Sequence, residues 1–214
     1  MNIRSRVLTA LGTVYDPELD EPITTLGFVG SLVVTDDGDV SVRLRLPTPQ
    51  CAPNFAFLMA ADASRALWGV PGVESVDVTL EDHYTGDEIN ATVNAGGSFS
   101  DAFPGETRGE LDALRALFQR KALLARQSRL LEVPAARLGD LHGPDADRVR
   151  ALRAALGIDA SDDAAPYVTG DGVPVSADDQ RFRRMASLTA LSLETNGGMC
   201  RDLLRVRYGE EVAA

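Results

Sequence analysis

Apolar side chains at Ile3, Val7, Leu8, Leu11 and Val14 recur at helical spacing, and the Asp16-Pro17 step ends the run, which predicts an amphipathic first helix. Residues 28–35 then read as a strand. The Asp36-Asp37-Gly38-Asp39 cluster supplies a turn, after which Val40, Val42, Leu44 and Leu46 alternate with Ser41, Arg43 and Arg45. This is the pattern of a hairpin with one buried face. Beyond the Pro47–Pro53 loop the period changes from two to helical at Phe55, Leu58, Met59, Ala63, Ala66 and Leu67, ending near Gly69. A last alternating run places Val76, Val78 and Leu80 inward and Ser75, Asp77 and Thr79 outward, so a third strand is expected beside one of the hairpin strands. Helix, strand, strand, helix, strand describes an α+β domain over residues 1–90, with a small mixed sheet and two helices.

Between His83 and Gly109 the composition turns to Gly, Ser, Asn and acidic residues, which predicts a loop or linker, taken as residues 91–108. The remainder, 109–214, reads as a mainly helical C-terminal extension. Leu111, Leu114, Leu117, Phe118, Leu124, Leu130 and Leu131 outline a long helix, and Val149 to Leu156 a short one. A third runs from Phe182 to Leu193, is expected to break at Asn196-Gly197-Gly198, and resumes through Leu203 and Leu204. Tyr167–Val175 has the pattern of a small hairpin that Pro174 confines to an edge.

Composition narrows the function class. With 44% hydrophobic and 25% charged residues the chain has an ordinary globular make-up. Its 32 acidic against 21 basic side chains give a formal charge of -11, which opposes attraction to nucleic acid or to an anionic membrane surface. The basic run from Arg115 to Arg137 is expected to be a solvated helix face. The first residues lack a secretory pattern, and no stretch approaches the roughly 18 apolar residues of a membrane span. The expected location is cytoplasmic, where Cys51 and Cys200 stay free thiols. A homodimer through an exposed sheet edge is a further expectation, because a short sheet leaves a strand unpaired.

The candidate chemistry centres on Cys51, placed where a strand hands over to a helix. Backbone N–H groups and the helix dipole make a cysteine there a better nucleophile and metal ligand than an average one; the alternative is a small buried hydrophobe. Cys200 follows the Gly-Gly pair and precedes a helical segment, so it repeats that local arrangement. Two such thiols invite a shared metal site, which His83, with Glu88, could complete. Taken singly, Asp16 and Glu18 read as an Asp-Pro turn and a solvated carboxylate, although Asp16 could also orient the cysteine loop by accepting its N–H groups. His142 reads as a turn residue. No phosphate-binding Gly-rich loop and no Gly-x-Ser-x-Gly element is present. A Cys51–His83 pair is the remaining enzymatic possibility.

Asp16-Pro17-Glu18-Leu19, Ile23–Val29, Pro47-Thr48-Pro49-Gln50-Cys51-Ala52-Pro53 and Val70–Val78 follow one another in the order and spacing of a known domain. Over residues 3–82 the chain resembles the SufT/PaaD-type iron-sulfur assembly-factor family. It departs at Ala52, where the commonest family pattern has proline, and at its end, which lacks the four-cysteine zinc motif of PaaD-like proteins. The resemblance implies a non-enzymatic factor that matures iron-sulfur or iron-containing proteins. It makes Cys51 the functional cysteine, Asp16 and Glu18 the acidic motif, iron or an iron-sulfur cluster a transient cofactor, and a client metalloprotein the partner. Phe118–Ala122, Arg137–Leu141 and Asn196–Leu204 are similar to variants associated with bacterial di-iron monooxygenase gene sets, which implies such an enzyme or its reductase as client. A metal-free adaptor or folding chaperone for a monooxygenase subunit, and a Cys-dependent enzyme, are the alternatives.

Overall fold

The computed structural model describes residues 2–106 and 111–209. Helix α1 (Ile3–Leu11) starts at Asn2, whose side-chain oxygen accepts the Ser5 N–H at 2.8 Å. It ends at Gly12, before Val14. Val14 is buried all the same, because the chain reverses and the Ile23 N–H donates to the Val14 carbonyl at 2.9 Å. The Asp16 N–H donates to the Glu21 carbonyl at 2.9 Å, closing the loop that carries both acidic residues of the Asp-Pro-Glu run.

Strands β1 (Val29–Val34) and β2 (Asp39–Arg45) form the expected hairpin, with Val34 opposite Val40 and Leu32 opposite Val42. Val40, Val42 and Leu44 all face the core. The ladder shifts register between Val29 and Ser31, at Gly30, where a Cβ would stand 2.6 Å from the Arg45 side chain. Strand β3 (Ser75–Glu81) pairs parallel to β2, from Asp39–Ser75 to Arg45–Glu81, so the sheet is mixed with β2 central. Helix α2 (Pro53–Trp68) makes the β2–β3 crossover and buries Ala56 through Ala60, Ala63 and Leu67.

The segment after β3 is more ordered than its composition predicts. Helix α3 (Gly86–Asn94) buries Ile89 and Val93 one turn apart. From the same helix the Asn90 amide accepts the Leu80 N–H at 2.7 Å and donates to the Leu80 carbonyl at 3.2 Å, and Asn94 does the same for Val78 at 2.9 and 3.1 Å. Two asparagines thus satisfy the open edge of β3, leaving less of it for strand pairing with a second copy. A short helix, α4 (Phe99–Ala102), follows, and its Phe99 ring meets Phe57 edge-on at 5.4 Å.

By contact density the chain divides into Met1–Leu111 with Gly197–Ala214, and Asp112–Asn196. These limits differ from the expected ones. Part of α3 and all of α4 occupy the stretch expected as a linker, the boundary at 108/109 lies outside the described residues, and the last residues belong with the first unit.

The second unit is helical, with α5 (Asp112–Ser128), α6 (Pro144–Ala155) and the first part of α7 (Gln180–Tyr208). Its core includes Leu123, Leu138, Leu141, Val149, Leu152 and Phe182. Much of the basic run is paired locally: Arg126 and Arg129 reach Asp145, Arg120 reaches Asp171, and Arg137 reaches Asp140 and Asp163. Thr169 and Val173 close the small turn, with Val168 bridged to Pro174. No helix among the described residues is long and apolar enough to cross a membrane.

The expected break at Asn196-Gly197-Gly198 does not occur. Helix α7 runs through it, and Gly197 serves packing instead: a Cβ there would lie 2.9 Å from the Glu21 carboxylate. The cost of two glycines inside a helix is about 2 kcal/mol and is offset by the contacts the helix makes.

Candidate functional site

The loop from Leu46 to Ala52 is pinned at several points. The Cys51 N–H donates to the Thr48 carbonyl at 3.4 Å, and the Thr48 hydroxyl lies 3.5 Å from the Cys51 sulfur. The Tyr84 N–H holds the Pro49 carbonyl at 3.1 Å. Pro53 occupies the first turn of α2, where its missing N–H costs nothing, and Ala52 is the residue that caps it without a side-chain bond. Cys51 therefore sits one residue outside the cap, half-buried and with a free thiol.

His83 lies 2.7 Å from the Cys51 carbonyl through Nε2. A carbonyl only accepts, so Nε2 carries the proton, and Nδ1 then accepts from the Thr85 N–H at 3.3 Å. Burial, with nearby Arg207 and against the bond to Cys51, holds the His83 pKa below its ordinary value. Both ring nitrogens are engaged, Nε2 by the Cys51 carbonyl and Nδ1 by Thr85. The residue braces the backbone of the cysteine loop. Glu88 and His142 are exposed, the former on α3 and the latter in the short connection before α6.

Asp16 is only 7% exposed. Its Oδ1 accepts the Glu18 and Leu19 N–H groups, both at 2.8 Å, so it shapes its own loop and not that of Cys51. Burial pushes its pKa up to about 6; the two backbone bonds oppose the shift, and Glu18 and Glu21 add to it.

Cys200 departs from the expected setting, since it lies well inside α7 and not at a helix start. Its own N–H belongs to the helix ladder, and no unpaired N–H groups stabilise its anion. Burial first, then Asp16, Cys51 and Glu18, push the thiol up to about 11, against Arg201. The same side chains meet in space. Cys51, Cys200, Asp16 and Glu18 all line one cavity of about 130 Å³, walled on its apolar sides by Phe28, Leu46, Phe55 and Met59. Among the described residues no three His, Cys, Asp or Glu side chains are arranged to hold a metal ion, and His83 does not line this cavity.

Side chains that no local motif marks hold α7 in this position. Arg201 meets Glu21 at 2.7 Å, and Leu204 is buried. Arg207 donates to the carbonyls of Leu46 at 3.1 Å and Asp82 at 2.7 Å, the two ends of the strands beneath the cysteine loop. The Tyr208 hydroxyl reaches Asp82 at 3.2 Å, and its ring lies under Arg45 with the guanidinium carbon 5.0 Å from the centroid. Residues 197, 200, 201, 204, 207 and 208 recur at the spacing of one helix face, the signal that could have found them.

A family model described as iron-sulfur cluster assembly protein matches residues 4–79. An uncharacterised protein of Methanocaldococcus jannaschii is 36% identical over 90 residues, which is 42% of this chain and 93% of that protein. A protein of Porphyromonas gingivalis named Fe-S protein maturation auxiliary factor is 33% identical over 85 residues, 39% of this chain and 80% of its own length. The iron-sulfur cluster carrier protein of Mycobacterium tuberculosis is 38% identical over 80 residues, 37% of this chain but 20% of that longer protein.

Proposed function

Because the chain belongs to the iron-sulfur cluster assembly protein family, we propose that it helps to build or deliver an iron-sulfur or iron centre, with Cys51 as the group that transiently holds the cargo. The observation that carries this reading is the free Cys51 thiol at the wall of a small cavity, on a loop braced by Thr48 and His83. Thiolate sulfur is a preferred ligand of iron and of iron-sulfur clusters. Asp16 and Glu18 serve beside it as a negative rim that favours a cation over an anion.

The role is that of a carrier and not of an enzyme. His83 supports this, for its Nε2 proton is held by the Cys51 carbonyl and its Nδ1 lone pair by Thr85, so the ring is committed to backbone and loop contacts and not to the thiol. The names of the relatives, carrier and maturation factor, support it too. The recipient is a client metalloprotein in the cytoplasm, and the C-terminal extension points to a bacterial di-iron monooxygenase or its reductase.

The test is iron and acid-labile sulfide analysis of the full chain purified without oxygen and loaded either with ferrous iron or with a preformed iron-sulfur cluster supplied as its small-thiolate complex. Wild type is expected to retain iron, and Cys51→Ser to lose it. Equal retention in the two proteins, or none in either, overturns the carrier reading. A client complex that survives the substitution would then favour a metal-free adaptor.

A further inference from the structure

We infer that Cys200, from the last turns of α7, is the second sulfur ligand of the cargo, so that a segment outside the family-matched residues supplies half of the site's thiol donors. This rests on the reading of Cys51 given above. The chain has two cysteines in 214 residues, and the fold brings both to one cavity of about 130 Å³. Local sequence does not account for that meeting, since one thiol ends a strand–helix loop and the other lies within a helix.

The placement of Cys200 is built, not incidental. Gly197 lies one turn before it, where a side chain would strike Glu21. Arg201 adjoins it and pairs with that same Glu21 at 2.7 Å, while Arg207 clamps the carbonyls of Leu46 and Asp82 two turns later. These contacts fix the rotation and the advance of the helix, and hence the face that Cys200 presents. Asp16 and Glu18 line the same cavity, so its carboxylates favour a cation over an anion there, and its two thiols favour a thiophilic one.

Two thiolates hold iron with its other positions open, which suits handing it on, whereas four protein ligands would close the site. Each thiol yields its proton to solvent as its sulfur binds the metal, and no change of oxidation state is involved. The shared chemistry is thiolate-bound iron, either as the ferrous ion or as a cluster. Loading with ferrous iron alone and with a preformed cluster supplied as its small-thiolate complex separates the two sources, and in both cases the protein's thiolates bind by ligand exchange alone.

The probe is Co(II), titrated without oxygen into the full chain and read through sulfur-to-cobalt charge-transfer absorbance. Wild type is expected to show the intensity of two thiolates, with Cys51→Ser and Cys200→Ser each falling to about half and binding roughly 100-fold more weakly, as the second linked ligand is lost. Wild-type intensity and affinity in Cys200→Ser overturn this inference and leave the Cys51 reading standing. No charge-transfer band in wild type overturns both. A measurement that needs no variant is alkylation of wild type mapped by mass spectrometry. Cobalt is expected to slow modification at both cysteines, and an unchanged rate at Cys200 overturns the inference even if Cys200→Ser does not fold.

Discussion

Both units of this chain bury polar groups, and they do so to opposite effect. In Asp112–Asn196, Arg153 has no exposed surface, yet its guanidinium donates to the carbonyls of Ala165 and Pro166, each at 2.8 Å. Gln127 exchanges two hydrogen bonds with the backbone of Val168, and the Tyr167 hydroxyl donates to the Leu130 carbonyl at 2.7 Å. These side chains bond main chain that no helix or sheet satisfies and tie loops to the apolar core, with the Arg153 Nε alone left without a partner among their donors. Around the cavity of the first unit the buried polar groups keep capacity in reserve. Asp16 uses one oxygen on its own loop, and Cys200 is desolvated beside other acids. Polar burial in the second unit therefore stabilises, whereas at the cavity it costs stability in exchange for reactive surface.

The largest test of that contrast is Arg153→Met, which keeps much of the volume and removes the donors. Leaving several buried carbonyls unpaired is expected to destabilise by about 3–5 kcal/mol in urea-induced unfolding. A loss below about 1 kcal/mol breaks the comparison, because the arginine would then be dispensable.

Asp16→Asn is expected to act in the opposite direction. The side-chain carbonyl of the introduced asparagine can still accept from the Glu18 and Leu19 N–H groups, while the buried charge is gone. In wild type the Asp16 pKa is raised from 3.8 to about 6. The folded state thus holds this proton more tightly than the unfolded state, and the stability it contributes is full below about pH 4 and lost as pH rises through 6. The variant should consequently be more stable than wild type by about 2 kcal/mol at pH 8, with the difference vanishing near pH 4. Paired unfolding curves at the two pH values check this, and a destabilised variant at pH 8 refutes the account of Asp16.

The smallest expected effect sharpens the comparison inside the first unit, away from the cavity. Asn90→Ala and Asn94→Ala each strip two bonds from the β3 edge and should cost about 1–2 kcal/mol. They should also promote self-association, visible as a concentration-dependent sedimentation coefficient, because the freed edge can pair with another copy. Loss of stability here and gain at Asp16 would separate structural from site-directed burial within one unit.

The amino-acid sequence by itself determined the succession of α1, β1, β2, α2 and β3, the hairpin turn, and the position of Cys51 between a strand and a helix. Those features follow from side-chain periodicity and turn chemistry over a few residues, which are local properties. It did not disclose α3, because a helix with only Ile89 and Val93 on its buried face gives a weak apolar signal and makes its other contacts through Asn90 and Asn94. It misdirected at Asn196-Gly197-Gly198, where glycine marks a close approach to Glu21 and not a break. Only the tertiary structure decided that Cys200 faces the same cavity as Cys51, through contacts such as Arg201 with Glu21 across 180 positions and Arg207 with Leu46 across 161. Pairings at that separation depend on how whole elements pack, and no local pattern in a single chain encodes which distant partner a side chain will meet.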